Sequence, residues 1–128
     1  MRYLLDTHSF IWWMTSPNQL SQAVLAIIVD PDTEIYLSVV SIWEMEIKIG
    51  TGKLTGFSNL KFFLDSDLKF EQFEILNLSR DQVHVLPRLP RHHQDPFDRA
   101  LISQAIHEDL ILISKDLKFS GYPVKLLW

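Results

Sequence analysis

Cysteine is absent from this sequence, which excludes a disulfide framework and thiolate zinc sites and is consistent with a reducing cytosol. The longest uninterrupted apolar run, Ala23–Val29, falls far short of the ~20 residues that a membrane span needs. Asp6 and His8 interrupt the apolar start of the chain, and no small-residue cleavage site follows, so it does not read as a signal peptide. Runs of a single charge are missing too. The net charge of −4 comes from six acids against four bases in residues 1–64 and ten against eight in residues 65–128. That even spread argues against a protein that coats nucleic acid through bulk electrostatics, but not against an enzyme whose metal ions cancel some of the charge. No internal repeat, linker or low-complexity tract is visible. What is present suits one domain over residues 1–128: 47% hydrophobic and 22% charged residues are enough for a real core. The expectation is a soluble, cytoplasmic protein without membrane contact.

Apolar stretches of strand length alternate with helical patterns, the signature of a parallel sheet covered on both faces. Tyr3–Asp6 reads as a buried first strand and His8–Met14 as a short aromatic helix broken at Ser16-Pro17-Asn18. Ser21 is placed to cap a second helix that stops at Asp30-Pro31. Ile35–Ser38 is the second strand, and Val40–Ile49 is helical with apolar pairs at Trp43/Ile47 and among Ile42, Met45 and Ile49, ended by Gly50 and Gly52. A weaker helix over Leu60–Leu68 precedes a third strand over Phe73–Leu78. Ser79 heads a short helix through Val85, and Pro87–Gln94 is loop. Pro96–Glu108 carries the clearest helical pattern, followed by a strand over Leu110–Ser114 and an edge strand over Val124–Leu127.

Four acids punctuate this pattern: Asp6, Glu44, Asp98 and Asp116. Two of them follow predicted strands, where α/β folds place their active sites. Carboxylates gathered there repel one another, and an all-oxygen cluster is naturally occupied by Mg²⁺ or Mn²⁺. Each acid also has a plain structural reading. Asp6 can cap the helix behind it, a task that Thr7 could perform equally well. Glu44 can pair with Lys48 at i+4, and Glu46 has a similar neighbourhood, so local pattern does not choose between the two. Asp95 before Pro96 is a helix cap. Asp98 could complete a capping box, yet it heads the apolar stripe of Leu101, Ile102 and Ala105, where an unpaired charge is costly. Asp116 could be a turn residue after its strand.

Other polar residues are less specific. His84, His92 and His93 lack zinc-site spacing. The interval Gln82–Gln94 holds Arg88, Arg91 and three histidines without an acid, a composition suited to phosphates or simply to solvent. The spacings of Trp12, Trp13, Trp43 and Phe97 favour core packing over base stacking.

In order and interval, these acids resemble the PIN domain family, and in particular the VapC-like toxin ribonucleases of type II toxin–antitoxin pairs. Leu4-Leu5-Asp6-Thr7-His8 is similar to the family's opening motif, and Ser38-Val39-Val40-Ser41-Ile42-Trp43-Glu44-Met45 to its second, with Gly52-Lys53-Leu54 after it. His93-Gln94-Asp95-Pro96-Phe97-Asp98-Arg99 with Gln104-Ala105 resembles the third, and Ile113-Ser114-Lys115-Asp116 the fourth. The similarity runs from Arg2 to Trp128.

The resemblance implies a three-layer α/β/α domain with a mostly parallel sheet of strand order 3-2-1-4-5. It places the metal-binding, catalytic acids on Asp6, Glu44, Asp98 and Asp116, and so selects Glu44 over Glu46. The implied activity is Mg²⁺/Mn²⁺-dependent endonucleolytic hydrolysis of RNA by a metal-activated water, leaving 5′-phosphate and 3′-hydroxyl ends. Thr7 and Ser114 are expected to orient the carboxylates, and Arg88, Arg91, His92, His93 and Arg99 to contact substrate. The implied partner is a small antitoxin whose Arg or Lys side chain enters the acidic pocket, docking around Phe10, Trp13 and Leu20. A homodimer or a toxin–antitoxin hetero-oligomer is expected. The alternatives are a PIN-like scaffold that only binds a partner, against which no acid is missing, and a receiver-like signalling module. The receiver reading wants paired acids after the first strand, an acid after the third and a Lys after the fifth; this chain has a single Asp6, Leu76-Asn77-Leu78 and Val124–Trp128 at those points.

Overall fold

The computed structural model describes residues 1–66, 70–92 and 94–128. Its elements run β1 (Arg2–Leu5), α1 (Thr7–Thr15), α2 (Gln22–Val29), β2 (Glu34–Ser38), α3 (Val39–Gly50), α4 (Leu60–Ser66), β3 (Phe73–Leu76), α5 (Arg80–Val83), α6 (Pro96–His107), β4 (Ile111–Ile113) and β5 (Leu126–Leu127). Short 3₁₀ turns cover Pro17–Gln19, Leu86–Arg88 and Leu117–Gly121.

The strands form one sheet of order β3-β2-β1-β4-β5, and all four pairings are parallel. Central strands of such a sheet are buried on both sides, so alternate residues feed two different cores. Tyr3 and Leu5 of β1, Ile35 and Leu37 of β2 and Ile113 of β4 join Phe10, Val24, Ile28, Met45 and Leu60 on one face. Leu4 and Leu112 join Val40, Leu101, Ile102 and Phe119 on the other. Helices α1, α2 and α4 therefore cover the first face and α6 the second, with α3 contributing Met45 to one and Val40 to the other.

Local chemistry sets the element ends. Ser21 accepts the Val24 amide at 3.1 Å to start α2, which stops before Pro31, where a helix cannot continue. Ser38 ends β2 and caps α3, so strand passes into helix with no loop between them. Gly52, at φ +77°, turns the chain out of α3. Ser79 and Gln82 form a reciprocal capping box on α5. After α6, Asp109 takes the left-handed backbone (φ 54°) open to short polar residues and sends the chain into β4.

Most elements fall where the periodicity predicts, with shifted ends. The α4 helix is described as far as Ser66, and the part expected at 67 and 68 lies outside the described residues. The third strand ends at Leu76, the fourth loses a residue at each end, and the fifth starts only at Leu126, its expected beginning being bent where the Val124 amide reaches the Tyr122 carbonyl at 2.8 Å. Two expectations about exposure are overturned. Phe10 (0% exposed) and Leu20 (6%) are in the core and Trp13 is half-buried, so these residues do not form an open docking surface. Their side chains are consumed in seating α1 and α2 on the sheet. Conversely, Trp43 is 58% exposed, and with Val39 and Ile47 it forms an uncovered apolar line at i, i+4 and i+8 along α3. Its ring packs edge-on against Phe97 at 4.9 Å. Among the described residues no helix is long and apolar enough to cross a membrane.

Candidate metal centre

The chain runs outward from β1 to β2 to β3 and then returns to the other side of β1 for β4. The strand order therefore reverses between β1 and β4, and the crevice at the carboxyl ends there is where open α/β sheets bind ligands. Register puts Leu5, Leu37 and Ile113 side by side. The residues just beyond them, Asp6, Ser38 and Ser114, thus emerge together at one end of the sheet.

A cleft of about 180 Å³ opens at this point, lined by Asp6, Thr7, Glu44, Asp95, Asp98 and Asp116 together with His8, Lys48, Lys118 and Phe119. The four acids singled out in the sequence share it. Five acids face two lysines, so the cleft carries a local excess of negative charge.

Asp6 is 5% exposed. One carboxylate oxygen accepts the Ser9 amide at 2.7 Å and so starts α1. Burial raises its pKa above the ordinary 3.8, against the opposing pull of hydrogen bonds from Ser114 and Ser9 and the charge of His8. Ser114 Oγ in turn accepts the Asp116 amide at 3.0 Å, joining the end of β4 to Asp6.

Glu44 is 7% exposed, whereas Glu46 on the same helix is exposed to solvent and lines a different groove. Thr7 Oγ1 lies 2.7 Å from Glu44 Oε1 and 2.9 Å from Ser41 Oγ. A threonine has one proton and a carboxylate can only accept, so Thr7 donates to Glu44 and receives from Ser41. The other Glu44 oxygen meets Lys48 Nζ at 2.8 Å.

Asp95 caps α6, accepting the Phe97 and Asp98 amides at 2.9 and 3.1 Å behind Pro96. Asp98, one turn in, is half-buried on the cleft wall. Asp116 is exposed at the rim and accepts the Lys118 amide at 2.9 Å. The structural and site readings of Asp6 and Asp116 are thus compatible, since each caps with one oxygen and still faces the cleft.

Among the described residues no three acidic or histidine side chains converge closely enough to hold an ion as they stand. Glu44 is engaged by Thr7 and Lys48, and Asp6 by Ser9 and Ser114. The donor chemistry nevertheless fits a hard divalent cation, because the cleft offers carboxylate oxygens and the chain has no cysteine. Lys48 already places an ammonium on one of those carboxylates.

Of the basic residues expected to meet substrate, those that are described lie elsewhere. Arg88, Arg91 and His92 are exposed and do not line the cleft, and His93 lies outside the described residues. His92 packs against Tyr122 at 5.7 Å. The Arg99 guanidinium donates to the Pro90 and Leu86 carbonyls at 2.7 and 3.3 Å, bracing the turn before α6. Among the described residues the lysines lining the cleft are Lys48 and Lys118, which sequence reasoning missed as site residues. A buried polar relay was missed as well: Ser38 donates to Gln104, Gln104 to Gln82 at 3.1 Å, and Gln82 to Glu108 at 2.9 Å. It ties the end of β2 to α6 beneath the cleft, and the Gln82 bond holds the Glu108 carboxyl below its ordinary range.

No curated protein matches this sequence significantly. Among solved structures, the fold is similar to VapBC2 from Rickettsia felis bound to a DNA fragment from their promoter, at 18% identity and TM-score 0.74 over 99% of this chain and 98% of that one. It is also similar to FitAcB from Neisseria gonorrhoeae, at 18% identity and TM-score 0.70 over 100% and 97% of the two chains. A toxin–antitoxin complex from Klebsiella pneumoniae is 23% identical, with TM-score 0.65 over 98% and 96%. A family model described as PIN domain matches residues 3–125, a span that holds all four acids. The chain belongs to the PIN domain family.

Proposed function

We propose that this chain is a Mg²⁺- or Mn²⁺-dependent endoribonuclease and the toxin component of a toxin–antitoxin pair acting in the cytoplasm. One observation carries the reading: in a PIN-family chain, Asp6, Glu44, Asp98 and Asp116 line a single cleft at the strand-order reversal. These four carboxylates would hold the cation. Bound there, a divalent ion supplies Lewis acidity for activating water and for offsetting charge on the phosphodiester. Thr7 fixes one oxygen of Glu44, and Ser114, at the end of β4, bonds to Asp6, so each of these acids is oriented by a hydroxyl. Lys48 and Lys118 bring positive charge to the substrate's phosphates at the cleft walls.

The toxin assignment is supported by the similarity to proteins solved in toxin–antitoxin complexes. An antitoxin tail with an Arg or Lys would enter the cleft as Lys48 does now, by a charge-assisted contact to a carboxylate. A scaffold that binds a partner without catalysis is the alternative, and the presence of all four acids counts against it.

The test is the purified chain with total RNA in Mn²⁺, in Mg²⁺ and in chelator, beside the Asp98→Asn variant. Metal-dependent fragments ending in 5′-phosphate, absent with Asp98→Asn, are expected. Cleavage that survives in both chelator and the variant would sink the reading.

A further inference from the structure

We propose that Trp12, with His8, Trp128 and Lys115 around it, forms a stacking shelf that takes one unpaired nucleobase of single-stranded RNA lying across the acid cleft; this rests on the nuclease reading above. A second cavity of about 220 Å³ is lined by Asp6, His8, Trp12, Lys115 and Asp116. It shares Asp6, His8 and Asp116 with the acid cleft, so the two adjoin across these residues. A strand with its phosphate at the carboxylates would lay an adjacent base in the second cavity.

The furniture there is aromatic and cationic. Trp12 is only partly buried, packing against the core around β1 while lining the second cavity. The Trp128 ring braces it edge-on at 5.8 Å, and the exposed His8 ring lies 5.8 Å away, tilted by 38°. Lys115 Nζ stands 5.9 Å from the Trp12 ring centroid on an exposed side chain. Core packing accounts for the buried part of the indole but not for its place in the wall of an acidic trough beneath the Lys115 ammonium. A base has a π-face for the indole, and its phosphate has a charge for Lys115. Every base offers such a face, so the shelf tolerates any sequence, but a duplex hides its faces. The shelf therefore selects unpaired strands.

The test is binding of a fluorescent single-stranded RNA octamer, an abasic phosphodiester of equal length and an RNA duplex. It is done without divalent metal in the Asp98→Asn background, which keeps the strand intact. Stacking of one base on an aromatic side chain is worth ~1–3 kcal/mol, so Trp12→Leu should weaken the octamer roughly 5- to 150-fold. Binding of the abasic strand and the duplex should change less than about twofold. Trp12→Phe preserves packing and should give a smaller loss. Quenching of tryptophan fluorescence by the octamer and not by the abasic strand gives a second readout without touching Trp12. Equal losses on octamer and abasic strand, or a parent chain that binds both alike, would overturn the shelf. RNA cleavage by the wild-type chain alongside that result leaves the nuclease reading standing. A Trp12-dependent preference for bases in a chain that cleaves nothing under any divalent metal supports the shelf and overturns the nuclease.

Discussion

Lys48 and Glu44 stand one helical turn apart on α3, with Nζ 2.8 Å from Oε2, and both line the cleft that holds the other acids. The pair makes the ammonium an internal counter-ion. A divalent cation must compete with it for Glu44. Lys48→Gln is expected to bind Mn²⁺ about three- to tenfold more tightly by calorimetry, and to melt lower than the parent in chelator. Weaker Mn²⁺ binding by Lys48→Gln would show that the lysine supports the ion and does not rival it.

Asp6 provides a pH test. Burial raises its pKa in the folded chain, so the ionised carboxylate costs stability once pH rises through that folded value. The contribution of this group is whole below the ordinary value of 3.8 and falls as pH climbs. Asp6→Asn keeps an oxygen for the Ser9 amide and removes the charge. In chelator at pH 7 the variant should melt above the parent, and the gap should close as pH is lowered toward 4. A parent that melts higher at pH 7 would mean that the charge itself holds the fold.

The two acids at the start of α6 should separate. Asp95 caps two amides, so Asp95→Ala should cost about 1 kcal/mol in denaturant melts while much RNA cleavage remains. Asp98→Ala should abolish cleavage with little loss of stability. The reverse pattern would transfer the essential role to Asp95.

Metal addition gives the linkage test. At a hundredfold excess of Mn²⁺ over its dissociation constant the folded state gains ~2.7 kcal/mol, roughly a 10 °C rise in Tm for a chain of this size. The rise should disappear in Asp6→Asn combined with Asp98→Asn. An equal rise in the double variant would place the ion elsewhere.

The sheet was legible because its information is local. Tyr3–Leu5, Ile35–Leu37 and Ile111–Ile113 are apolar throughout, and helical periodicity separates them. Strand order came from the family resemblance and not from these patterns. Cap residues were legible too, which is why Asp6, Asp95 and Asp116 each carried a structural reading beside a chemical one. What could not be read was lateral. Ser114 was named through the family resemblance and not from any local pattern, since its contact to Asp6 crosses between strands, and the Ser38–Gln104–Gln82 relay, which joins a strand end to two helices, was not named at all. The signal for Lys48 was its i+4 spacing from Glu44, which looks the same on a solvated helix. Trp43 has the same helical spacing from Ile47 whether a neighbour covers it or not, and here it stays 58% exposed beside Phe97.

The Ser9 amide proton rests on an Asp6 oxygen, 2.7 Å from nitrogen to oxygen, and this gives the centre a built-in spectroscopic probe. Any cation, basic side chain or proton that draws on that carboxylate weakens the bond and moves the Ser9 amide resonance. Because the same bond opens α1, fraying of the first helical turn and disassembly of the centre are one event on the exchange clock. A single backbone signal can therefore follow occupancy and local unfolding in the unmodified chain.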